Sequence, residues 1–105
     1  ELKMVSEKYK VGGTADFLAR INGSLVLADI KTSKGIYPEM YCQLAAYRKM
    51  YLEIQPKASI ESAMILKLDK NSGNFSHHFV GKPQLEWGWK VFKACMELEK
   101  LHKEL

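Results

Sequence analysis

Apolar and polar positions divide the chain into segments of two different periods. Residues 2 to 10 alternate in part, Leu2 and Met4 around Lys3, then Val5 and Tyr9 against Lys8 and Lys10, which predicts a strand. Gly12-Gly13 is expected to interrupt it, and Thr14 to Ile21 (TADFLARI) forms the next β-leaning run. Asn22-Gly23 is a strong two-residue hairpin signal, because both positions tolerate positive φ. It folds this run back onto Leu25 to Lys31, so the first three segments predict an antiparallel meander. Leu25, Val26, Leu27 and Ala28 are continuously apolar, so both faces of that strand should be covered.

Thr32 to Gly35 reads as a polar loop, after which the period changes. Pro38 suits the first turn of a helix, where its missing N–H leaves no bond unmade. Met40, Leu44, Tyr47 and Tyr51 recur at three- and four-residue steps, predicting a helix to about Ile54, stopped by Gln55-Pro56. Ile60 to Leu68 predicts a strand, Asn71 to Asn74 a turn, and Phe75 to Val80 a returning strand. Pro83 opens a last helix whose apolar stripe is Leu85, Trp89 and Phe92, with Val91, Cys95, Leu98 and Leu101 nearby. The order strand-strand-strand-helix-strand-strand-helix predicts an α/β (α+β) domain, a mixed central sheet with helices packed on it.

Composition narrows the class without choosing a function. A chain of 105 residues, 47% hydrophobic and 27% charged, is one globular domain with a single modest core. No apolar run approaches the roughly 20 residues that span a bilayer, and the charged N-terminal residues do not resemble a signal peptide. A cytoplasmic location is expected. The net charge of +4 suits a partner bearing phosphates. Cys42 and Cys95 lack any CxxC spacing, which argues against a zinc or iron–sulfur site, and both lie in apolar helical patterns where buried free thiols are expected.

The candidate chemistry gathers at the end of the Leu25–Lys31 strand. Asp29 and Lys31, two apart, point to the same face. Alone, that pair reads first as a structural ion pair at a sheet edge, since charge pairs are common and pairs with chemistry are rare. Asp16 lies six residues before Asn22, and Asp29 six residues after Gly23. Residues equidistant from a two-residue turn face each other across the ladder, so the two aspartates should be cross-strand neighbours. Like charges there are destabilising unless neutralised, and a divalent cation bound by both is the reading this geometry favours. The other is that one carboxylate faces solvent or pairs with Lys31. Gln43 and Tyr47 share one helical face, where Gln43 can orient an ammonium or touch a phosphate; helix surface and core filling is the plain reading. Thr32 and Ser33 offer hydroxyls to a phosphate or to the loop backbone. His77 and His78 are adjacent on a strand, face opposite ways and read as surface. His102 sits near a helix C-terminus, where the helix dipole favours it.

Taken in order, the GxxD of Gly13 to Asp16, the DxKTS of Asp29 to Ser33 and the QxxxY of Gln43 to Tyr47 resemble the PD-(D/E)XK nuclease superfamily, in its RecB-like and phage-exonuclease branch. The resemblance implies a restriction-endonuclease-like core and Mg²⁺- or Mn²⁺-dependent hydrolysis of DNA phosphodiesters, in recombination, repair or phage DNA processing, in a bacterial or phage setting. It implies Asp16, Asp29 and the Ile30 carbonyl as metal ligands, Lys31 as the catalytic lysine, and Gln43 and Tyr47 as an accessory motif. The chain departs from the family in opening on a strand where a helix normally comes first, and in lacking the four-cysteine cluster of some relatives. The expectation is therefore a core fragment of a longer nuclease, weakly active alone and prone to self-association, or else a nuclease-like module that binds nucleic acid or a protein without cutting.

Overall fold

The computed structural model describes residues 2–6, 11–15, 17–32, 35–69 and 71–105, with side chains from Leu18 onward. The strands are β1 (Leu2–Ser6), β2 (Val11–Ala15), β3 (Phe17–Ile21), β4 (Ser24–Lys31), β5 (Ile60–Leu68) and β6 (Phe75–Val80), and the helices are α1 (Pro38–Ile54) and α2 (Lys82–Lys103). The class is mixed α+β, with a four-stranded open sheet in the order β3-β4-β5-β6. β4 and β5 are parallel and joined through α1, while the outer pairs are antiparallel.

The opening of the chain differs from the sequence expectation. Gly12-Gly13 does not interrupt a strand but lies within β2, where Gly12 pairs with Val5 and Gly13 with Met4. β1 and β2 form a two-stranded ribbon of their own, so the central sheet starts at β3 and not with a three-strand meander. Ladder pairing outweighs the entropic penalty that makes glycine a poor strand residue. The hairpin at Asn22-Gly23 is as expected, with φ of 51° and 83°, and it sets the register Leu18↔Leu27 and Phe17↔Ala28.

Alternation then sorts the sheet into two faces. Leu27, Ile60, Ala63, Ile65 and Val80 point to the side covered by both helices, meeting Leu44, Ala45 and Met50 of α1 and Leu85 and Trp89 of α2. Val26, Ala28 and Met64 are buried on the other side, beside half-buried Ile21 and Leu66. Among the described residues no helix covers that side, and Ile30, Phe75 and Phe79 are exposed there. Asp29 ends the buried run of β4 on the helix-covered face.

Burial expectations for both helices fail in part. Cys95 is exposed rather than buried, and Cys42 is only half-buried. Leu98 and Leu101 are exposed as well. The apolar period runs on, but α2 has 22 residues against the 17 of α1, and at about 1.5 Å per residue it extends roughly 7 Å further.

Candidate active site

The end of β4 and the second and third turns of α1 meet in one chain of polar contacts. Asp29 is 5% exposed, and a carboxylate so far from water needs a counter-charge. Lys31 supplies it from the same face, its Nζ 2.8 Å from Asp29 Oδ2. The ammonium also donates to Gln43 Oε1 at 2.7 Å. Gln43 Nε2 in turn donates to the Tyr47 hydroxyl at 2.9 Å, one helical turn on. The amide is thereby oriented oxygen toward the lysine. β4 fixes the first two groups through the pleat, and the β4–α1–β5 crossover lays the helix across them.

The sequence candidates fall into three groups. Asp29, Lys31, Gln43 and Tyr47 are brought together. Ile30 turns its side chain to the opposite face, 45% exposed, and Thr32 is exposed just beyond the strand. Asp16 and Ser33 lie outside the described residues; the last described pair of the β3–β4 ladder is Phe17↔Ala28. Among the described residues no cluster of three or more His, Cys, Asp or Glu side chains forms a metal site. His77 and His78 point to opposite faces, His77 edge-on to Phe79 and His78 toward Tyr41.

A shallow pocket of about 300 Å³ borders this chain, lined by Gln43 and Tyr47 and by Glu39, Cys42, Met50 and Phe92. Burial pushes the Cys42 thiol above its ordinary value of 9.0, and nearby Cys95 and Glu39 add to the rise. Cys42 is therefore a protonated, unreactive wall of that pocket at neutral pH.

Sequence reasoning passed over Tyr41 and Trp87. Tyr41 holds His78 Nε2 at 3.2 Å through its hydroxyl, and the two rings stack at 6.3 Å. Trp87 meets Tyr41 edge-on at 6.4 Å. A signal did exist. Trp87 stands off the Leu85–Trp89 stripe and is exposed, and Tyr41 stands off the Met40–Leu44 stripe, half-buried at the margin of the core.

No family model matches the chain, and no curated protein matches it.

Proposed function

We propose that this domain is a metal-dependent nuclease that hydrolyses DNA phosphodiester bonds, an exonuclease built on a restriction-endonuclease-like core. The observation that carries the reading is the contact chain Asp29–Lys31–Gln43–Tyr47. It joins the residues of two separate motifs in one place, on the helix-covered face of a buried strand.

The donor set fits Mg²⁺ or Mn²⁺. These ions take hard oxygen ligands, and Asp29 offers a carboxylate held nearly out of water beside the Ile30 carbonyl. Asp16, outside the described residues, is the second carboxylate in this reading, on the strength of its sequence spacing from the Asn22-Gly23 turn. When bound, such an ion would polarise a phosphate oxygen and acidify water. Lys31, paired with that carboxylate, donates to charge that builds on phosphorus. Gln43, its amide fixed by Tyr47, keeps the ammonium aimed while Asp29 is otherwise engaged. Thr32 and Ser33 follow as hydroxyl donors to the phosphate backbone.

The same ion pair would also hold a module that binds nucleic acid without cutting, and one experiment separates the two. End-labelled linear DNA and a circular form are incubated with the protein in Mg²⁺, Mn²⁺ or EDTA. The nuclease reading expects linear DNA to be degraded from its ends in either metal, the circle to persist, EDTA to stop the reaction, and Asp29→Asn to be inactive yet folded. DNA bound but left intact in both metals would establish the binding module instead.

A further inference from the structure

We propose that the groove between the first turns of α1 and α2 holds a base of a single DNA strand, so that the strand entering the Asp29–Lys31 site is single-stranded. The groove has a volume of about 390 Å³ and is lined by Pro38, Tyr41, Pro83, Gln84 and Trp87. Its walls are flat and apolar, two proline rings and two aromatic rings, which is the surface a base stacks on. The aromatic planes stand at 82° to each other, so a base stacked on one ring meets the edge of the other, an arrangement aromatic pairs favour.

Three further features select a nucleic-acid strand over another flat apolar partner. Among the described residues no carboxylate lines the groove, and Gln84 brings both a donor and an acceptor to the edge of a base. Lys90 follows Trp87 by three residues on an exposed helix, the spacing that sets side chains on the same face, where an ammonium meets a backbone phosphate. The decisive feature is alignment. Tyr41 is tied to His78, His78 is in register with Ile65, and Ile65 with Asp29, all on the helix-covered face. Two strand spacings, about 10 Å, separate β6 from β4. That is a span of a few nucleotides of one strand. A base in the groove therefore places its own strand's backbone within reach of Lys31, whereas a paired base has its faces taken by its neighbours and cannot enter.

Trp87 is also built to stay exposed. It is 46% exposed, while Trp89, the other tryptophan, is 8% exposed and belongs to the core. Gly88 brings the backbones together beside it: a Cβ there would lie 2.6 Å from the Tyr41 carbonyl oxygen. The close approach fixes the distance between the two rings.

The selection of single strands rests on the nuclease reading; base binding does not, and it is measured without cleavage. The whole chain, in EDTA, is titrated with a short oligothymidylate while tryptophan fluorescence is followed. Quenching is expected in the wild type. Trp87→Leu should lose the quench and bind roughly five- to a hundredfold more weakly, the size of one base–aromatic stack. Trp87→Phe, a smaller ring on the same exposed position, should recover part of the affinity and guards against a loss caused by misfolding. A blunt duplex should compete poorly. Equal affinity in wild type and Trp87→Leu, equal competition by the duplex, or no oligonucleotide binding at all overturns the proposal. Quenching in a protein that never cuts DNA would sink the nuclease reading and leave the groove standing. Cleavage with no dependence on Trp87 would do the reverse.

Discussion

Lys31 is held by two acceptors of different kinds, a buried carboxylate and a neutral amide. The carboxylate needs the lysine more than the lysine needs it, since Lys31 still reaches water with a side chain 26% exposed and Asp29 has only 8%. Lys31→Met keeps the bulk and removes the charge. In the absence of metal it should destabilise the fold by about 1–3 kcal/mol, because it removes the counter-charge of a buried carboxylate, and Mn²⁺ should restore much of the loss by taking the place of the ammonium. Thermal melts in EDTA and in Mn²⁺ measure both effects. In turnover, kcat and kcat/KM should fall together, as for a contact made chiefly in the transition state. A variant as stable as wild type in EDTA would mean that Asp29 does not depend on this lysine. Spacing alone made part of the site legible: two residues apart on a strand for Asp29 and Lys31, four apart on a helix for Gln43 and Tyr47. That the two pairs meet was not in the spacing. It depends on the rotation at which α1 crosses the sheet, which the core residues Leu44 and Leu27 set together.

The second crossing, α2 on α1, was not legible at all, because a glycine inside a helix says nothing about what approaches it. Gly88 faces the backbone of α1 at Tyr41 and Cys42, with nearest distances of 2.6 Å and 3.1 Å for an added Cβ. Helix propensity alone would make Gly88→Ala stabilising by about 1 kcal/mol. Packing opposes it, since the obstacle is backbone and cannot rotate away, and overpacking costs about 1–3 kcal/mol. The expected outcome is a net loss of stability in urea denaturation, together with a changed environment for Trp87. A gain near 1 kcal/mol would mean that the helices part freely at this point. The elements whose ends were read correctly, α1 with Pro38 at its start, β5, and β6 after the Asn71–Asn74 turn, carry their stop signals in their own residues. Gly12-Gly13 carries the same kind of signal, yet the ladder with Met4 and Val5 overrides it. Leu98 and Leu101 keep the helical period where there is no longer a layer to bury them.

At the scale of the molecule the sheet is two-sided in character. The face bearing Ile30, Phe75 and Phe79 is apolar and is the surface most prone to association, while the polar chemistry lies on the other, under the helices. Two adjacent cross-strand rows lie there, Asp29–Ile65–His78 and Lys31–Lys67–Ser76, and a bound strand follows the second, because Ile65 of the first is fully buried under the helices. The first row leads to the aromatic groove, and the second carries the cations. Stacking and charge are thus supplied by different residues, and salt tells them apart. Each phosphate neutralised on a single strand contributes a slope of about −0.7 to the dependence of log affinity on log salt. Lys67→Ala should weaken oligothymidylate binding and reduce the magnitude of that slope by about 0.7. Trp87→Leu should weaken binding by a comparable or larger factor and leave the slope unchanged, because a base stacked on indole releases no counterion. Affinities measured from low to physiological salt for the wild type and both variants decide it. If Lys67→Ala leaves the slope alone, the strand does not follow the second row. If Trp87→Leu flattens it, the indole acts by holding phosphates near lysines and not by stacking, and the path of the strand across this face has to be redrawn.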